Sequence, residues 1–89
     1  MATKAAEMKA EGIDVINFSV GEPDFNTPSH IIAAGQKAMD DGFTKYTAGP
    51  GMIEFRKAIC EKLKRENGIT YEPADILVSN GEKQSLYNV

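Results

Sequence analysis

The chain has 89 residues, ten basic and thirteen acidic side chains for a net charge of −3, and a hydrophobic content of 42%. A chain this short makes at most one small domain and buries only about 60% of its unfolded surface. Both signs of charge are interspersed, which argues against electrostatic nucleic-acid binding. One cysteine, Cys60, excludes an internal disulfide, and a single histidine, His30, argues against a zinc set or a Ser-His-Asp triad. The first twelve residues lack the apolar core of a signal peptide, and no run approaches the roughly 18 apolar residues of a membrane span. A cytoplasmic, reducing compartment is the expectation.

Residues 3–11 are strong helix formers with Ala5, Ala6 and Met8 as a thin apolar stripe, and Gly12 stands where a glycine ends a helix. Residues 14–20, rich in β-branched and aromatic side chains, read as a short strand. The stretch Gly21-Glu22-Pro23-Asp24-Phe25-Asn26-Thr27-Pro28 cannot form a regular element and is expected to be a loop. Thr27 and Pro28 then predict a helix start, Thr27 as the cap and Pro28 as the first helical residue, with Gly42 closing the segment. After the irregular residues 43–51, Met52, Phe55, Ile59 and Leu63 recur at helical spacing. Glu54 near the start and Lys62, Lys64 and Arg65 near the end suit the helix dipole. Asn67-Gly68 ends that helix, and Ile69 is expected to fold back on Leu63 as the hydrophobic contact of a Schellman motif. Ile76-Leu77-Val78 reads as a buried strand, and Asn80-Gly81 turns the chain into a last helix from Glu82. Helix, strand, helix, helix, strand, helix is an α/β order. The last helix meets Val89 without a cap, glycine or proline, so this last element reads as cut rather than ended.

Two stretches carry candidate chemistry. The turn from residue 76 into the last helix can bind an anion, because free N–H groups and the dipole converge at a helix start and Gly81 permits a close approach. It lacks the glycine spacing of the Walker and dinucleotide motifs, and a strand-turn-helix with one glycine is commonly only a connection. The Gly21 loop either offers a backbone N–H to a carboxylate or is a rigid connector with solvated Glu22 and Asp24. Tyr46 is either a packed aromatic with a wet hydroxyl or a hydrogen-bond donor to a ligand. Cys60 reads as a small buried hydrophobe and His30 as a surface residue.

The segments VINFSVGEPDFNTP, TKYTAGPGMIEFRKAI and ILVSNGEKQSLYNV resemble, in order and spacing, the class I pyridoxal-phosphate-dependent aminotransferases, above all those of the bacterial and plant-plastid aspartate aminotransferase type. The resemblance covers essentially the whole chain. It implies an incomplete, N-terminal part of the fold type I PLP-dependent transferase fold, with residues 1–27 in the small domain and 28–89 beginning the large PLP-binding domain. It also implies amino-group transfer between an amino acid, aspartate or glutamate, and a 2-keto acid.

Residue by residue, the resemblance implies that Gly21 donates its N–H to the substrate carboxylate. Gly81, Glu82 and Lys83 would cradle the phosphate of pyridoxal 5′-phosphate, and Tyr46 would cross a homodimer interface to the same group. The implied partners are small molecules, with neither nucleic acid nor membrane, and no metal site is implied. The lysine that holds the cofactor as a Schiff base is expected beyond Val89, so no catalytic residue is expected here and the 89 residues alone should be inactive. Glu82 departs from the family's usual Gly or Ala and places a carboxylate beside a phosphate. Gly49-Pro50-Gly51 departs from the commoner loop, which bears on Tyr46. The alternative from another class is a non-catalytic anion-binding or interaction module.

Overall fold

The computed structural model describes all 89 residues, Met1–Val89, which group into two compact units, Met1–Asp41 and Gly42–Val89. The first unit holds helix α1, Ala2–Ala10, and helix α2, Ser29–Asp40. The second holds helix α3, Ile53–Asn67, a single 3-10 turn, Pro73–Asp75, and helix α4, Glu82–Asn88.

In the first unit α1 ends as its composition predicts. The Glu11 N–H donates to the Glu7 carbonyl and the Gly12 N–H to that of Lys9 (3.1 and 3.0 Å), while Gly12 takes a positive φ of 84° that a side chain would resist. Ala5 and Met8 of the expected stripe are half-buried together with Val15, while Ala6 is exposed. Helix α2 starts one residue later than Thr27 predicts. Pro28 itself occupies the cap with extended backbone (ψ 142°), no side-chain oxygen caps the helix, and its carbonyl takes the N–H groups of Ile31 and Ile32 at 3.0 and 3.1 Å.

The strand expected over residues 14–20 does not form. Asn17 turns its side chain onto the main chain two residues ahead, its Oδ1 accepting the Ser19 N–H at 2.8 Å, a local bond that competes with a sheet ladder. Nor does a strand form at residues 76–78. Ile76 has extended backbone, φ −106° and ψ 128°, but the segment's one main-chain bond to a distant part of the sequence runs from the Val78 N–H to the Pro50 carbonyl, 3.0 Å. A strand is defined by a ladder, and one rung does not make it. Helices alone of the expected α/β order are therefore present.

The second unit is organised by α3. Met52, Ile59 and Leu63 of the expected stripe are half-buried, while Phe55 stays 52% exposed. Gly68 takes the left-handed conformation, φ 66°, and the Ile69 N–H turns back to the Leu63 carbonyl at 3.2 Å. The fold-back of Ile69 on Leu63 is seen in this main-chain bond. Across the chain no residue is fully buried, Cys60 included, which is half-buried. The hydrophobic faces of both units remain open.

Candidate phosphate turn and its neighbours

Gly21 lies in the first unit, whereas Tyr46, Gly81, Glu82 and Lys83 lie in the second. In the first unit the Gly21 N–H has no acceptor within the chain, and nothing stands within 4 Å of the place a Cβ would take. Gly21 is exposed and its N–H is left without a partner in the chain.

Tyr46 is fully exposed, so the packed alternative is absent within this chain. It edges an open cavity of about 380 Å³ whose walls include Phe43, Met52, Ile53 and Arg56. Its loop is fixed downstream, where the Gly51 N–H donates to the Ala48 carbonyl at 2.9 Å and closes a turn around Gly49-Pro50.

The turn into α4 is more elaborate. Gly81 caps the helix with φ 90° and ψ 164°, and a Cβ there would meet nothing within 4 Å. Its own N–H donates to the Ser79 carbonyl at 3.0 Å, whereas the N–H groups of Glu82 and Lys83 have no acceptor in the chain. These are two of the orphan donors that every helix start leaves. Phosphate oxygens fit here through two backbone donors and an absent Cβ, and a third bond from Gly81 requires its contact with Ser79 to open. The Glu82 carboxylate in the same first turn is the one element that opposes an anion.

Three residues that the sequence alone did not single out shape this turn, and a fourth lines the cavity beside Tyr46. The Gln84 side chain reaches back so that its Oε1 accepts the Asn80 N–H at 2.6 Å. The Ser79 hydroxyl donates to the Gly81 carbonyl at 3.0 Å and is also bonded to the Ser85 hydroxyl. Gln three residues into a helix behind Asn-Gly is a variant of the capping-box pattern and was the available signal. The fourth is Arg56, a cation on the apolar stripe between Met52 and Ile59. Its Nε donates to the Gly51 carbonyl at 3.1 Å and its Nη1 to the Pro73 carbonyl at 3.0 Å.

No group of His, Cys, Asp and Glu is placed to hold a metal ion, and no helix is long and apolar enough to cross a membrane. The family model "Aminotransferase class I and II" matches residues 13–89. Over 88 residues the chain is 53% identical to the aspartate/prephenate aminotransferase of Cereibacter sphaeroides, covering 99% of this chain and 22% of that protein. It is 48% identical over 89 residues to the aspartate aminotransferase of Bacillus subtilis, covering all of this chain and 23% of that protein. The crystal structure of the aspartate aminotransferase from Rhizobium meliloti superposes with a TM-score of 0.83 at 50% identity, over 98% of this chain and 22% of that one. The chain thus spans about a fifth of the length of the relatives it matches. With the family match running from Ile13 to Val89, through the Gly21 loop, the Tyr46 loop and the Gly81 turn, the chain belongs to the class I and II aminotransferases.

Proposed function

We propose that this chain supplies the N-terminal segment of a pyridoxal-phosphate-dependent aminotransferase that moves an amino group between aspartate or glutamate and a 2-keto acid. Residues 1–27 contribute to its small domain and residues 28–89 begin its large, cofactor-binding domain. The whole enzyme is a cytoplasmic homodimer acting on small molecules. When bound, pyridoxal 5′-phosphate supplies the electron sink for the reaction. The role of this chain is to bind and orient. Gly21 offers its N–H to the substrate α-carboxylate, and the missing Cβ lets the carboxylate come close. The start of α4 holds the phosphate: Glu82 and Lys83 donate their N–H groups directly, Gly81 does so once its bond to Ser79 opens, and the helix dipole favours the charge. The Tyr46 hydroxyl donates to the phosphate held by the other protomer.

What supports this reading is the pair of partnerless N–H groups behind a positive-φ glycine, in a chain about half identical to proteins named aspartate/prephenate aminotransferase and aspartate aminotransferase. The test is a graft in which these 89 residues replace the matching segment of the Bacillus subtilis relative. The grafted enzyme should bind pyridoxal 5′-phosphate and transaminate aspartate with 2-oxoglutarate, while the 89 residues alone should not. A grafted enzyme that folds as a dimer yet discriminates nothing between pyridoxal 5′-phosphate and phosphate-free pyridoxal would refute the phosphate assignment.

A further inference from the structure

Arg56 closes a ring of main-chain contacts in the second unit. From the second turn of α3 its Nε holds the Gly51 carbonyl and its Nη1 holds the Pro73 carbonyl. The Pro73 carbonyl also accepts the Ile76 N–H at 3.2 Å, and two residues on, the Val78 N–H donates to Pro50, the neighbour of Gly51. The circuit therefore runs from Arg56 to Pro73, along residues 76–78, across to Pro50 and Gly51, and back to Arg56. Every residue in it named here is half-buried except Leu77. Tyr46 lies four residues before Pro50, and Gly81 lies three residues after Val78. The ring thus joins the chain that carries Tyr46 to the chain that leads into the phosphate turn.

We propose that Arg56 is a positioning residue for phosphate binding: its two-carbonyl clasp fixes residues 76–78 against Pro50 and so aims the Glu82 and Lys83 N–H groups. A planar guanidinium can hold two separated carbonyls from one fixed fork, whereas a lysine ammonium on a flexible stem is a point donor. Hydrogen bonds from a charged group are also among the stronger ones. The proposal rests on the reading of the α4 start as the phosphate site.

The experiment compares wild-type, Arg56→Lys and Arg56→Ala in the grafted holoenzyme, with two readouts besides activity. One is the ratio of affinities for pyridoxal 5′-phosphate and for phosphate-free pyridoxal; the other is the hydrogen-exchange rate of the Val78 amide. Arg56→Lys should weaken pyridoxal 5′-phosphate about tenfold, roughly the loss of one charged hydrogen bond. It should leave pyridoxal within about twofold and speed Val78 exchange. Where Arg56→Ala does not fold, Arg56→Lys alone decides. Equal loss for both ligands would make Arg56 merely structural and overturn the proposal, as would unchanged affinity with unchanged exchange. If the wild-type graft itself fails to prefer the phosphorylated ligand, the phosphate reading falls and the proposal falls with it.

Discussion

Gly51 and Val78 stand so close that a Cβ added to Gly51 would lie 2.9 Å from Val78 Cγ2 and 3.0 Å from its Cβ. Gly51 also has a φ of 106°, so two separate penalties meet at one residue. Gly51→Ala should therefore destabilise the grafted enzyme by about 2 kcal/mol or more, from backbone strain and overpacking of about 1–3 kcal/mol each. Adding Val78→Ala removes the Cγ2 contact but keeps the Cβ at 3.0 Å, so it should return part of the steric penalty and leave the strain. A denaturant midpoint for the two single variants and the double variant checks this. Strict additivity would mean that the two residues do not press on one another.

Gly68 offers the contrasting case. Its φ of 66° is left-handed, but a Cβ there would meet nothing within 4 Å. Gly68→Ala should cost about 1 kcal/mol through conformation alone. Gly68→Asn should cost less, because Asn enters the left-handed region more readily. Thermal unfolding of both variants tests the order, and equal losses would point to a contact in place of strain.

Helix α3 was legible because its information is local: an apolar repeat, charges matched to the dipole, and Asn67-Gly68 at the stop. The α2 start was legible to within one residue, since Thr27 and Pro28 both favour a helix start and only the observed backbone shows that Pro28 takes the cap. Residues 14–20 and 76–78 have strand composition without a ladder, because pairing belongs to the partner that composition does not specify. In the candidate site, Asn80-Gly81 announced a turn, and the structure adds that Gly81 spends its own N–H on Ser79. The clasp made by Arg56 was hidden for a different reason. Its acceptors are carbonyls five and seventeen residues away, and a carbonyl is present at every residue, so no side-chain pattern marks them.

On α3, the Arg65 guanidinium bonded to Glu66, helped by the nearby Lys62 ammonium, holds the Glu66 carboxyl below its usual range. A lowered pKa means that the native state binds the proton less readily than the unfolded chain. The contribution is therefore complete above the ordinary glutamate pKa and fades as pH falls through the lowered value. A carboxyl titration followed by NMR should place Glu66 on the acid side of 4.5, and Arg65→Ala should move it back upward. Because the site is exposed, high salt should reduce the charge part of the shift. A midpoint indifferent to Arg65 would contradict the assigned cause.

Lys83 lies in the first turn of α4, and its proposed contribution is its N–H, which every substitution except proline retains. Lys83→Ala in the grafted enzyme should keep the cofactor covalently attached, with its visible absorbance and most of its affinity for pyridoxal 5′-phosphate. Borohydride reduction followed by peptide mass spectrometry should place the cofactor on a lysine other than Lys83. Loss of the absorbance band in Lys83→Ala would instead make its side chain the covalent anchor.

Glu82 sets two electrostatic effects against each other. In the first turn of α4 its carboxylate interacts favourably with the helix dipole, typically by about 0.3–1 kcal/mol at a surface, yet the same charge repels a phosphate at that helix end. Glu82→Gln keeps the backbone donor and removes the charge. The apo form should lose a little stability while pyridoxal 5′-phosphate binds about two- to fivefold tighter, the range expected for one like charge removed in a largely aqueous setting. Added salt should shrink the gain by screening, and pyridoxal, which has no phosphate, should bind as before. Titrations at low and high ionic strength separate these effects, and weaker binding of pyridoxal 5′-phosphate by Glu82→Gln would mean that the carboxylate assists the site by orienting the turn.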